Sequence, residues 1–110
     1  MAQESALVLT TRLMNQLNSK LAALDIDLVG KETAKALTAI RRLAADARLD
    51  VRDFEMADSR AEMQENGLTA TKRLEELRKQ ILKASEHGIF GAVDVAVLSA
   101  EIDAIIAELG

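Results

Sequence analysis

Apolar residues recur at intervals of three and four along most of this chain, and no proline interrupts them. That combination leaves little but helix. A stripe with a 3.6-residue period marks a helix with one face to bury, and proline is the residue a helix interior tolerates least. The clearest stripe comes last: Leu98, Ile102, Ile105, Ile106 and Leu109 stand at i, i+4, i+7, i+8 and i+11. Nineteen alanines and sixteen leucines in 110 residues strengthen the reading, because both favour helix.

Three further stripes precede that one. Ala6, Leu9, Leu13, Leu17, Leu21 and Leu24 predict a first helix from about Ser5, a plausible N-cap, to Leu24. It breaks at Gly30. Ala36, Leu37, Ile40, Leu43, Ala44, Ala47, Val51 and Phe54 hold one face of a second, which thins out through Met56, Ala57, Ala61 and Met63. No glycine or proline appears before Glu65-Asn66-Gly67, so 32–66 reads as one helix of about 50 Å, long beside the ~13 Å radius of gyration of a globule this size. It either breaks near Arg48–Asp53 or projects. A third stripe, Ala70, Leu74, Leu77, Ile81 and Ala84, is out of phase with Val51, Phe54 and Ala61. A turn or kink is therefore expected at Gly67, with Thr69 or Thr71 as cap.

The expected architecture is a single all-α domain over 1–110: an antiparallel bundle of three to four helices, one of them long. Val93-Asp94-Val95-Ala96-Val97 has β-branched character. It lacks an obvious partner strand, so helix is preferred, with Asp94 or Ser99 as cap.

The stretch Ser85-Glu86-His87-Gly88-Ile89-Phe90-Gly91 differs from its surroundings. It holds the only histidine and one of two phenylalanines. Gly88 reads as a left-handed helix cap. Ile89, Phe90, Val93 and Val97 then either plug the end of the bundle or anchor a partner.

Several chemistries are excluded. With no cysteine there is no disulfide, thiolate metal site or cysteine nucleophile. Residues 50–62 resemble a calcium loop only at first sight: counting from Asp50 puts Arg52 and Phe54 where oxygen ligands belong. A di-iron bundle needs Glu-x-x-His pairs, which the lone His87 cannot supply. Lys31 follows Gly30 as in a phosphate loop, but Asp25 and Glu32 stand where Gly and Ser/Thr are required. Residues 73–84 resemble the opening helix of the all-helical chorismate mutases, in which an arginine at the position of Arg78 binds a substrate carboxylate. That family needs further cations downstream, and no Lys or Arg follows Lys83.

Net charge is −4 and unevenly placed: residues 1–83 carry fourteen basic and thirteen acidic side chains, while 84–110 carry five acidic and no basic ones. Arg41, Arg42 and Arg48, and Lys72, Arg73, Arg78, Lys79 and Lys83, are two small basic groups, the second interrupted by Glu75 and Glu76. The N-terminal stretch lacks a signal-peptide pattern and no run is long enough to span a membrane.

These features lead to the expectation of a cytoplasmic, non-catalytic, acidic interaction or adaptor protein without cofactor or metal, with features in common with secretion-type chaperones by analogy. It is expected to bind a protein partner and to form a homodimer, because the long 32–66 segment leaves Phe54, Met56 and Met63 uncovered. The candidate partner-binding residues are Ile89, Phe90, Val93, Phe54, Met56 and Met63. A DNA-associated regulator of antitoxin type is the alternative, and a small helical enzyme the third reading.

Overall fold

In the computed structural model, residues 5–23 and 30–110 are described; Leu24, part of the first stripe, lies outside them. Four helices make up the fold: α1 (Ala6–Ala22), α2 (Lys31–Glu55), α3 (Arg60–Glu86) and α4 (Ala92–Leu109). No strand occurs among the described residues, so the valines at 93, 95 and 97 are helical. Each helix packs against its sequence neighbour, α2 on α3 most extensively, and α1 meets α4 to close the ring.

Ion pairs and hydrogen bonds fix the antiparallel order. Arg48 Nε donates to Thr11 Oγ1 (3.1 Å) and the Leu7 N–H to Glu55 Oε1 (3.1 Å), so α1 and α2 run oppositely. Arg73 on α3 reaches Asp50 (2.8 Å) and Asp46 (3.5 Å) on α2. Arg78 pairs with Asp103 across α3 and α4, and Lys20 with Asp94 (2.7 Å) across α1 and α4. The core is aliphatic. Leu13, Leu17, Ile40, Val51, Leu74, Leu77, Ile81, Leu98, Ile102 and Ile105 are fully buried, the positions the stripes select.

The long second segment does break, but not near Arg48–Asp53 and not at Gly67. The chain turns at 56–59. Ser59 caps α3: its Oγ accepts from the Glu62 N–H (3.1 Å), and Glu62 Oε2 reaches back to the Asp58 N–H (3.3 Å). This is a capping-box arrangement, with the glutamate reaching one residue further back than usual. The expected kink at Gly67 is absent, and Gly67 lies inside α3. Thr69 and Thr71 are interior too, each donating its hydroxyl to the carbonyl four residues earlier.

Gly67 sits where three helices converge. A Cβ there would lie 3.2 Å from the Leu109 carbonyl oxygen and 3.2 Å from the Phe54 ring, so the missing side chain lets α2, α3 and α4 close together. Because α1 begins beside Glu55 and α4 ends beside Gly67, the first turns of α3 run past both. Residues 60–65 are all exposed.

At the other end α3 closes as expected. Gly88 has φ +78°. Its N–H donates to Ser85 O (3.0 Å) and the Ile89 N–H to Ala84 O (3.2 Å), the two bonds of a Schellman motif. Gly91, not Asp94 or Ser99, is the N-cap of α4. Asp94 stands three residues on, where its carboxylate accepts from the Gly91 backbone as well as from Lys20.

Candidate interaction surface

The six partner-binding candidates fall at opposite ends of the bundle. Phe54, Met56 and Met63 lie at the α2–α3 turn; Ile89, Phe90 and Val93 lie at the α3–α4 corner. They differ also in exposure. Phe90 is only 4% exposed and is part of the core, and Ile89 and Phe54 are partly buried against it. Met56 and Val93 are 72% and 76% exposed, and Met63 is partly so. Val97 also points outward, so only half of the expected plug faces inward.

Val93 leads to a larger surface. Thirteen of the eighteen residues of α4 are apolar, and its buried set, Leu98, Ile102, Ile105 and Leu109, occupies one side. The remainder does not become polar, as it does on an ordinary surface helix. Val93, Ala96, Val97, Ala100, Ala104 and Ala107 are all exposed. At ~100° per residue they fan over the side of α4 opposite its core contacts.

The acids of α4 stand on its flanks. Asp94 turns to Lys20 of α1, Asp103 to Arg78 of α3, and one Glu101 carboxylate oxygen is buried. The outward stripe is apolar between two flanks that carry all four acids of α4, Glu108 included. Lys20 donates a hydrogen bond to Asp94 and holds its carboxyl below the usual carboxylate range.

The neighbouring flank of α3 adds two exposed leucines, with exposed Lys72, Glu75 and Lys79 between them. Leu68 is 65% exposed and Leu82 nearly half exposed. Leu82 follows Arg78 by one turn, and Arg78 meets Asp103. In antiparallel helices that sets Leu82 level with about Ser99. Leu68 borders a shallow hollow of about 340 Å³ between Gln64, Gly67, Thr71, Leu109 and Gly110, at the far end of the α3–α4 seam.

Three of the arginines are committed within the bundle, while Arg41, Arg42, Lys72, Lys79 and Lys83 are exposed. The Arg73 guanidinium is held chiefly by its hydrogen bond to Asp50, which raises its pKa further. Arg78 is held by Asp103 and Arg48 by Thr11. A hollow on the α2–α3 side places Lys35 and Arg42 beside Glu76, so it is not a clean anion site. Among the described residues no cluster of three or more His, Asp or Glu could hold a metal, and no helix is long and apolar enough to cross a membrane.

Of this surface, sequence reasoning found Val93 and Val97 and missed the alanines and the two leucines. Alanine suits core and surface alike, so it gave no signal position by position. The signal lay in what was absent: no lysine, arginine, glutamine or asparagine anywhere in 92–109 to solvate an outer face. Compared with family models, curated proteins and solved structures, the chain matches none.

Proposed function

We infer that this is a cytoplasmic, non-catalytic helical interaction protein that docks through the outer side of α4 and the adjoining flank of α3. One observation carries the reading: α4 is apolar on the side turned away from its own core. Helices apolar all round are ordinarily buried, and contiguous apolar surface on a soluble fold marks a place of contact. Asp94 and Asp103, on the two flanks of the stripe, pair with α1 and α3. Arg48, Arg73 and Arg78 are paired within the bundle, which leaves fewer cations for the phosphates that DNA binding would engage.

The test is one substitution on the stripe. Ala100→Glu is exposed and adds a good helix former, so helicity should stay within a few per cent by circular dichroism. Affinity capture with wild-type and variant baits, tagged second copies of the chain included, should show bound protein lost from the variant. Equal recovery on both baits would sink the reading.

A further inference from the structure

We propose that the end of the bundle at the α2–α3 turn is a docking surface of its own, and that its occupant is a basic segment of another protein with apolar side chains on one face. This surface lies apart from the outer side of α4 and does not depend on that reading. What carries the proposal is a core stripe that outruns its cover. The buried positions of α3, from Gly67 through Ala70, Leu74 and Leu77 to Ala84, recur at threes and fours. One step further back in the same phase stands Met63. At ~1.5 Å per residue it lies about 6 Å beyond Gly67, the level at which the Phe54 ring and the Leu109 carbonyl meet α3. Helix α4 ends there. Met63 thus continues the inward side of α3 past the reach of α4, and it is 37% exposed. Met56, on the turn, is 72% exposed, and Ala61 is exposed as well.

Methionine suits such an edge. Its unbranched, polarisable side chain adapts to whatever packs on it. With half-buried Phe54, the two methionines make a small apolar platform at the open end of the core. A platform of this size takes one or two side chains of a partner and belongs with transient contacts.

Charge names the partner. Residues 53–65 hold five acidic side chains and one basic one, and the rest of the chain holds thirteen of each, so the whole net charge of −4 resides at this end. Arg52 lies 3.9 Å from Asp53. Among the described residues no ion pair reaches Glu55, Asp58, Glu62 or Glu65. Glu55 and Glu62 accept from the backbone N–H groups of Leu7 and Asp58, which leaves their charge in place. Asp53 and Glu55 also stand in the last turn of α2, where the helix dipole disfavours an acid. A pool of one sign draws a cationic partner. Lysines or arginines flanking the partner's apolar anchors would offset both the repulsion and the dipole.

The probe is a peptide of about 14 lysines and leucines, spaced to form one apolar helix face. Its controls are the same residues scrambled, and oligolysine of equal length. Methyl-labelled methionine reports the place. Met14, half-buried on α1, lies about 10 Å further along that helix than Leu7, which meets Glu55. At low salt the amphipathic peptide should shift the Met56 and Met63 methyls and leave Met14 unmoved. Asp58→Lys with Glu65→Lys should weaken binding about tenfold or more. Glu75→Lys with Glu86→Lys makes the same change in net charge at exposed positions away from the turn; it should alter binding by less than about twofold. Met56→Ala with Met63→Ala should weaken binding about fivefold. Ala100→Glu, which disables the α4 surface, should bind the peptide as the wild type does.

Scrambled peptide or oligolysine binding as tightly as the amphipathic peptide overturns the proposal, because charge alone would then suffice. Equal losses from the two double-lysine variants overturn the location. Met56 and Met63 methyls that shift with protein concentration alone make a second copy the occupant and overturn the basic partner. Should a variant lose its helicity by circular dichroism, the wild-type methyls decide: a Met14 shift with Met56 and Met63 unmoved, or no shift at low salt, overturns the surface.

Discussion

Gly67 works by the space it leaves. From sequence it reads as a helix stop, since a glycine after a thinning stripe is the ordinary sign of a C-terminus. Inside α3 it serves a different purpose, admitting the Phe54 ring and the Leu109 carbonyl to van der Waals distance. Gly67→Ala gains helix propensity of about 1 kcal/mol against that crowding, and its net effect should be small. Gly67→Val adds branched bulk that Leu109 and Phe54 cannot both avoid and should cost about 1–3 kcal/mol in chemical denaturation. Stability equal to wild type would show that α4 does not hold Leu109 at this distance. Asp94 offers a second measurement. Lys20 lowers its folded-state pKa below the ordinary value of 3.8. The pair's contribution is thus present above that value and is lost as pH falls through the lowered one. Wild type should exceed Asp94→Asn in stability near neutrality, with the gap closing below pH 3.8; a gap that persisted at pH 2 would exclude ionisation as its source.

At the scale of elements, the turn at 56–59 decides the shape of the bundle. Removing the cap with Ser59→Ala should cost about 1 kcal/mol, read as a lower denaturation midpoint with an unchanged slope. An unchanged midpoint would mean the turn is set by packing around Phe54. Ser59-Arg60-Ala61-Glu62 carries this boundary openly in the sequence as S-x-x-E. A search for glycine or proline passes over it, which is why the break was expected at 48–53 or 67. Where periodicity was strong the sequence sufficed: among the described residues the buried positions of the four helices, Thr10 and Gly67 apart, lie in the stripes, and Gly88 is the cap it was read as. The candidate surface was less legible. Phe90 drew notice as a rare aromatic, yet its ring completes the core. The exposed stripe on α4 consists of alanines whose meaning depends on which side the core takes.

At the scale of the molecule, the ring of helices removes the first reason to expect self-association. The 32–66 segment folds back into a hairpin instead of projecting as a rod, so its length no longer calls for a second copy. The widest set of apolar residues that the single chain leaves exposed lies instead on the far side of α4. The same ring also governs how quickly the protein assembles. Its most extensive contact joins α2 to α3 across a four-residue turn, and the main contact between distant parts of the chain is α1 against α4. Local contacts form with little loss of chain entropy, so folding should fall in the microsecond-to-millisecond range of helical bundles. The α2–α3 hairpin should be the nucleus and α4 a late arrival. Val51→Ala should then slow folding, and Ile105→Ala should mainly speed unfolding. Stopped-flow circular dichroism can follow both, which suits a chain without tryptophan or tyrosine. If α4 docks last it also leaves first, and the surface offered to a partner would be the part of the fold most readily released.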